Sequence, residues 1–536
     1  MIDTNSTVVE VLNKACETFA ANPAFTCLGR TLTYAELDHL SLQFACYLQQ
    51  KTGLKPGDRI AVQLPNILQY PVVVFGALRA GLTVVNTNPL YTPRELLHQL
   101  NDSGAKALVV LANIGKSAAE VIAQTSVEQV IVTEIGDLHH PIKRVLINSV
   151  LKYIKRDVPD LQFPNQVSFR QTLSGTDLSR YEPSAHEPND VAVLQYTGGT
   201  TGVAKGAMLT HANLVANMQQ VREMLGEGIH IGKELFVAPL PLYHIYAFTL
   251  HCMTLLAAGC QTILIPNPRD IPAFVKMLKG QRITGFVGLN TLFNALCRDQ
   301  GFAQLDFSAL RTTASGGMAL TKEAAKRWHD ITGCVVSEGY GMTETSPVVT
   351  VNPPSAIQQG TVGLPVPATE LKLVDEAGNT VPTGEPGELC VRGPQVMKGY
   401  WQRPEETAKV LDAEGWLKTG DMAVIQDDGY VRIVDRKKDM IIVSGFNVYP
   451  NEIEDVVCMH GDIVEAAAIG LPDPKSGEQV KLFVVSSDPA LTEQDVIEFC
   501  RKNLTAYKVP RSVEFRTELP KSNVGKILRR ELKPAA

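Results

Sequence analysis

The sequence predicts an α/β protein. A large N-terminal domain of layered α/β subdomains carries a β-rich subdomain and is followed by a small α+β C-terminal domain. Three observations lead there. The chain has 536 residues, more than one core of ordinary size organises. Its first half alternates helix-like and strand-like segments, the pattern of helices layered on largely parallel sheets. From about Thr361 the texture changes to short strands separated by Gly/Pro turns, such as Pro382-Thr383-Gly384-Glu385-Pro386-Gly387, and the segment after residue 439 has helices and strands of its own.

Thr33-Tyr34-Ala35-Glu36 is a capping box, and Leu37, Leu40, Phe44 and Leu48 mark one face of the helix it opens. Pro56-Gly57-Asp58 turns into a strand at 59–64, a helix over 68–80 follows, and a strand at 83–86 comes next. Thr92-Pro93-Arg94-Glu95 opens a further helix with Pro93 at its first position, ahead of a short strand at 106–111. Residues 247–266 are the best candidate for a membrane span, but His251, Gly259 and Gln261 interrupt them. A buried helix followed by a strand at 262–265 is the better reading. The run Asp435-Arg436-Lys437-Lys438-Asp439 lies between apolar strands at 430–434 and 440–443. It reads either as a solvated surface turn or as an interdomain hinge. The hinge reading divides the chain into residues 1–434, 435–439 and 440–536.

Apolar residues make up 45% and charged residues 20%, the composition of a soluble globular protein. A formal charge of −6 excludes a nucleic-acid binder that works through bulk positive charge. The ten cysteines form no C-x-x-C pair, so neither a zinc site nor a disulfide framework is indicated, and a reducing cytosol fits. Met1-Ile2-Asp3-Thr4-Asn5 shows neither a basic nor an apolar leader region, so no secretory signal is expected.

The strongest chemical signal is Tyr196-Thr197-Gly198-Gly199-Thr200-Thr201-Gly202-Val203-Ala204-Lys205-Gly206. It follows an apolar strand at 191–194 and precedes a second strand and a helix beginning near Thr210. Glycines let backbone N–H groups approach a phosphate, threonine hydroxyls add donors, and Lys205 adds charge. No G-x-x-x-x-G-K-[ST] register fits, so an ordinary P-loop NTPase is disfavoured. Taken alone, other residues read more plainly. His244 among apolar neighbours is a core histidine, Glu344 a helix-start residue, and Lys526 one cation of a basic terminal helix with Arg529, Arg530 and Lys533.

The glycine-threonine loop resembles the phosphate-binding signature of the adenylate-forming superfamily, which includes acyl-CoA synthetases, luciferases and peptide-synthetase adenylation domains. Further motifs follow in that family's order. Gly339-Tyr340-Gly341-Met342-Thr343-Glu344 is similar to the segment that sets an aromatic ring on adenine, a threonine on the α-phosphate and a glutamate on magnesium. Thr419-Gly420-Asp421 resembles the ribose-binding aspartate, Arg436 the arginine that also reaches the ribose, and Lys438 falls at the hinge position. Gly525-Lys526 resembles the C-terminal catalytic lysine, and the family places a histidine like His244 beside the carboxylate. The likeness covers essentially the whole chain. Gly415 to Lys438, with the continuation Ser444-Gly445-Phe446-Asn447-Val448-Tyr449-Pro450, is similar to bacterial long-chain fatty-acid–CoA ligases, as are Asn267-Pro268-Arg269-Asp270 and the stretch 288–296. Gly199 and Ala204 replace the Ser and Pro of commoner relatives, and Ser444 stands where aryl-CoA ligases carry Lys. These departures speak against an aryl substrate, not against the reaction.

The resemblance implies ATP, magnesium, coenzyme A and a fatty acid as reactants, with adenylation followed by thioester formation and a mobile C-terminal domain. It implies an acyl pocket at Gly288, Gly316, Gly317 and Met318, and a coenzyme A contact at Ser444 and Gly445. It implies a cytoplasmic enzyme that acts on small molecules and not on nucleic acid. It leaves open a homodimer and peripheral contact with the cytoplasmic face of the membrane. A medium-chain or aryl acid, a ligase that stops at the acyl-adenylate, and a non-catalytic lipid-binding relative are the alternatives. The set Thr343, Glu344, Asp421, Arg436 and Lys526 argues against the last.

Overall fold

Thr33, Thr92 and Thr210 each accept a hydrogen bond from the backbone N–H three residues on, and the side chain of that residue accepts one from the threonine's own N–H. These caps fix the starts of the helices Tyr34–Lys51, Pro93–Ser103 and His211–Leu225. The structure, a computed structural model, describes residues 2–197, 204–522 and 525–533. The loop residues Gly198, Gly199, Thr200, Thr201 and Gly202 therefore lie outside the described residues.

Two large sheets organise the first part of the chain. In one of seven strands, Gln166–Ser168, Gln129–Thr133, Ala107–Leu111, Arg59–Gln63, Thr83–Asn86 and Val191–Thr197 run parallel, and Lys205–Thr210 closes the edge as an antiparallel hairpin. The other has nine strands. Its parallel centre includes Leu235–Ala238, Gly285–Gly288, Thr312–Gly316 and Val336–Gly341, and its edges are antiparallel. The helix Gln69–Arg79 has all eleven residues buried, as expected of a helix apolar on every side. A Cβ on its Gly76 would come within 2.7 Å of the Ser41 carbonyl oxygen, so glycine lets it approach the helix Tyr34–Lys51. Residues 245–257 are helical and largely buried, and Gln261–Leu264 is a strand, as the interrupted apolar stretch suggested. Among the described residues no helix is long and apolar enough to cross a membrane.

The β-rich part is an antiparallel sheet of Glu370–Val374, Gly387–Arg392, Leu417–Ile425 and Val431–Arg436. The last sheet has five strands and its own core under the helices Pro450–Val457 and Glu493–Asn503. It joins Phe446–Val448, Ile441–Val443, Gly477–Ser486, Ile463–Asp473 and Ser512–Phe515.

Two expectations need correction. The charge run at 435–439 is not a uniformly solvated turn. Asp435 and Arg436 end the strand Val431–Arg436, and Asp435 is buried, its Oδ2 accepting from the Asn451 N–H at 2.8 Å. The basic C-terminal segment is not a helix among the described residues but a short turn, Arg529–Glu531. Arg529 folds inward, its guanidinium reaching Glu454 Oε2 at 2.7 Å and lying 3.8 Å from Asp435 Oδ1. A buried carboxylate and a half-buried cation are paired there, which a linear reading of either run misses.

Candidate active site

Parallel strands present their C-terminal ends to ligands. Gly316 pairs with Gly339 on the neighbouring strand, so the runs beginning at Gly316 and Tyr340 leave the sheet side by side. Gly341 is required by space, since a Cβ there would sit 2.0 Å from the Pro347 carbonyl oxygen. These runs open into a cavity of about 2640 Å³, whose walls also include Thr197, Lys205, His244, Asp421, Arg436 and Lys526.

Asp421 and Arg436 face each other across antiparallel strands. Arg436 Nε lies 2.9 Å from Asp421 Oδ1, and the Tyr340 hydroxyl donates to Oδ2 at 2.5 Å. Burial and the Asp421 carboxylate push the Tyr340 phenol well above its ordinary pKa, so it remains a donor. Glu344 lies in the turn Thr343–Thr345 and is buried, its Oε1 accepting from the Tyr400 hydroxyl at 2.7 Å. Burial raises the Glu344 pKa, while Tyr400, Arg436 and Lys205 oppose that shift. Lys205 sits 4.6 Å over the Tyr400 ring and 2.8 Å from Glu406 Oε2.

Tyr400 is a site residue the sequence reading missed. It is placed by a ladder between residues 398–401 and the strand Lys205–Thr210, with Met208 N–H donating to the Gly399 oxygen at 2.9 Å and Trp401 N–H to the Gly206 oxygen at 2.8 Å. A tyrosine 56 residues from its carboxylate leaves no local pattern; the only linear hint is the aromatic pair Tyr400-Trp401 inside an otherwise polar stretch.

The C-terminal segment brings Lys526 into this cavity. Gly525 adopts φ +83°, a Cβ on it would meet Thr291 Oγ1 at 3.1 Å, and Lys526 Cε comes within 3.9 Å of where a Cβ on Gly317 would stand. Burial first, then Arg436, lower the Lys526 pKa to about 8, against the pull of Asp421 and Glu344. His244, in the same lining, caps a helical turn through Nδ1, which accepts from the Tyr246 N–H at 3.4 Å. Burial, then the Lys526 charge, lower its pKa to about 4. His244 is thus neutral near pH 7, with its proton on Nε2.

The other expected residues separate. Gly316, Gly317, Met318 and Lys438 line the cavity. Gly288 does not; a Cβ there would meet the Phe293 ring at 2.6 Å, so core packing requires that glycine. Ser444 and Gly445 form a left-handed turn between Ile441–Val443 and Phe446–Val448, away from the cavity lining. Apolar lining comes instead from Val221, Leu225, Leu250, Val348 and Val351, none of which the motifs marked. Among the described residues no group of three or more His, Cys, Asp or Glu gathers as a metal cage.

Residues 12–401 match the family model described as AMP-binding enzyme, and residues 452–526 match that of the AMP-binding enzyme C-terminal domain. The chain belongs to the AMP-binding enzyme family. A long-chain-fatty-acid–CoA ligase of Escherichia coli is 54% identical over 535 residues, covering 100% of this AMP-binding enzyme and 95% of the relative. A protein of the same name from Bacillus subtilis is 36% identical, covering 98% and 94%. Among solved structures, an anthranilate CoA ligase in complex with anthranoyl-AMP superposes with a TM-score of 0.87 at 25% identity, covering 99% and 97%. MatB from Rhodopseudomonas palustris gives 0.85 in its ATP-bound form at 27% identity and 0.76 in its apo form at 28%, each covering 98% of both chains. The overall arrangement of this AMP-binding enzyme is nearer the ATP-bound form.

Proposed function

We propose that this enzyme is an ATP-dependent long-chain-fatty-acid–CoA ligase. The carrying observation is the Lys526 ammonium in one cavity with the Asp421–Arg436 pair, Glu344 and His244. A fatty carboxylate oxygen attacks the α-phosphorus of ATP. The new O–P bond replaces the bond to the pyrophosphate oxygen, and pyrophosphate leaves. Such a transfer depends on positioning and on neutralising charge. Tyr340 flanks the adenine while Asp421 and Arg436 hold the ribose hydroxyls. Thr343 donates to the α-phosphate, and the loop from Thr197 through Gly198, Gly199, Thr200, Thr201 and Gly202 to Lys205 takes the β- and γ-phosphates. Lys526 bridges carboxylate and phosphate oxygens, and neutral His244 donates from Nε2 toward the acyl carboxylate.

Magnesium fits Glu344 as a single carboxylate ligand, because that ion takes one or two carboxylates plus phosphate oxygens and water rather than an all-protein cage. When bound it offsets phosphate charge. In the second step the coenzyme A thiol forms a bond to the acyl carbon, its proton is lost and AMP departs. Lys526 then has to leave, and residues 435–439, with Lys438 as pivot, form the hinge that carries the C-terminal domain away. Ser444 and Gly445 belong to the face that turns toward coenzyme A.

The names of the relatives support a long-chain acid, and the apolar side chains Val221, Leu225, Leu250 and Val348 suit an alkyl chain, each buried CH₂ contributing about 0.8 kcal/mol. A substrate of this kind partitions into lipid, and peripheral contact with a bilayer is part of the same reading. The test compares palmitate, octanoate and a cinnamate-type acid for pyrophosphate release and for acyl-CoA formation. Palmitate is expected to be preferred at both steps. Preference for the aryl acid would overturn the assignment, and pyrophosphate release without thioester would reduce it to acyl-adenylate formation.

A further inference from the structure

An amphipathic helix ordinarily turns its apolar face to the core. The helix Pro141–Ser149, continued by a widened turn at Val150–Ile154, does the reverse: none of its residues is buried. Of the twelve large apolar side chains exposed among the described residues, five lie here, Ile142 (79% exposed), Val145 (59%), Leu146 (62%), Tyr153 (70%) and Ile154 (75%). Ile142, Val145, Leu146 and Tyr153 stand at i, i+3, i+4 and i+11, which places them on one face.

The helix is fastened to the protein through polar groups. Asn148 Oδ1 accepts from the Gly136 N–H at 2.9 Å, its Nδ2 donates to Glu134 Oε2 at 2.8 Å, and Lys143 Nζ donates to the Leu28 carbonyl at 2.5 Å. Its outward apolar row is therefore held in place and not a frayed end. Between Asp137 and Asp157, which flank it, the charge is one-sided, while Glu134 binds Asn148 of the helix from the protein side. From Leu138 to Arg156 there are five cations, Lys143, Arg144, Lys152, Lys155 and Arg156, and no Asp or Glu, in a chain whose formal charge is −6.

We propose that this helix docks the enzyme on an anionic lipid bilayer, with Ile142, Leu146 and Tyr153 entering the headgroup–acyl boundary and the cations on lipid phosphates. An apolar row flanked by Lys and Arg is the pattern of a helix lying in a membrane interface. A second copy of the chain fits less well, because a symmetric contact would set five cations against five. The proposal deepens the peripheral-contact part of the function reading and does not depend on which acid is activated.

Full-length enzyme is sedimented with vesicles of phosphatidylethanolamine and phosphatidylglycerol, and with vesicles of phosphatidylcholine alone. The wild type should bind the anionic vesicles more tightly, and salt should weaken that binding. Ile142→Glu with Leu146→Glu, and separately Lys152→Gln with Lys155→Gln and Arg156→Gln, should each lower binding by about tenfold or more. Both variants should keep wild-type pyrophosphate exchange with a soluble acid, which also shows that they fold. Wild-type enzyme that ignores anionic vesicles, or variants that bind as tightly as wild type, would overturn the proposal. Absent vesicle binding combined with self-association that the glutamate variant abolishes would assign the face to a second copy instead, and also overturns it. Failed pyrophosphate exchange by the wild type would count against the ligase reading alone.

Discussion

The Lys526 ammonium is partly enclosed and has Arg436 beside it, so it loses its proton at a lower pH than a lysine in water, at about 8. In the proposed mechanism the charged form is the one that neutralises carboxylate and phosphate oxygens. Adenylation, followed as pyrophosphate exchange, should therefore hold level below pH 8 and fall as pH rises through it. His244 titrates near 4 and cannot account for that limb. Lys526→Arg should move the fall beyond the measurable range even if the rate drops, and a limb unchanged in that variant would assign it to another group. Lys526→Ala should cost at least about a hundredfold in adenylation while leaving thioester formation from preformed acyl-adenylate. Tyr400 makes a separate claim. Its hydroxyl holds the buried Glu344 carboxylate, and a hydrogen bond to a charged group contributes about 1.5–3 kcal/mol. Tyr400→Phe should raise the KM for magnesium-ATP by about tenfold or more, measured at saturating fatty acid; an unchanged KM would remove Tyr400 from the site.

At the scale of elements, the strand Val431–Arg436 leads directly into the C-terminal domain, and its last two residues belong to different tasks. Arg436 faces the Asp421 carboxylate, whereas Asp435 faces Asn451 and Arg529 of the domain beyond. Lys438 stands two residues after the strand ends, outside both of these pairings, which is where the proposed pivot would lie. Lys438→Pro fixes φ there. Pyrophosphate release should survive nearly intact and thioester formation should collapse; loss of both in a folded protein would move the hinge elsewhere. These elements also show what a linear reading reaches. The glycine-rich turns, the threonine caps and the run Gly339 to Glu344 were legible because each acts through neighbours in the chain. Tyr400 on Glu344 and Arg529 on Asp435 were not, because each partner arrives from a distant segment. Val221 and Leu225 were hidden for another reason: an apolar pair four apart on a buried helix looks the same whether it faces core or cavity.

Across the whole molecule, the helix Pro450–Val457 carries Asp455 to the wall that Glu338 and Lys322 occupy on the larger part of the chain. Burial raises the Glu338 carboxyl to about 7, with a smaller push from Asp455. Burial and its neighbour Glu454 raise Asp455 to about 6, with Lys322 pulling back. Both carboxyls thus hold their protons more tightly in this arrangement, and the proposed hinge motion would relieve that burial if it exposes them to water. On that reading closure takes up protons, so by linkage it is strongest in acid, weakens as pH rises above the ordinary carboxyl range of about 4, and levels off above about 7. Glu454 pairs with Arg529 at 2.7 Å within the C-terminal domain itself. With one fluorophore on each side of residues 435–439, transfer efficiency in enzyme without nucleotide should fall between about pH 4 and 7. Glu338→Gln with Asp455→Asn replaces both carboxyls by neutral amides of similar shape, and should flatten that profile at the closed end. A wild-type profile flat over this range, or one that the double variant leaves unchanged, would mean that the two carboxyls do not set the closing equilibrium.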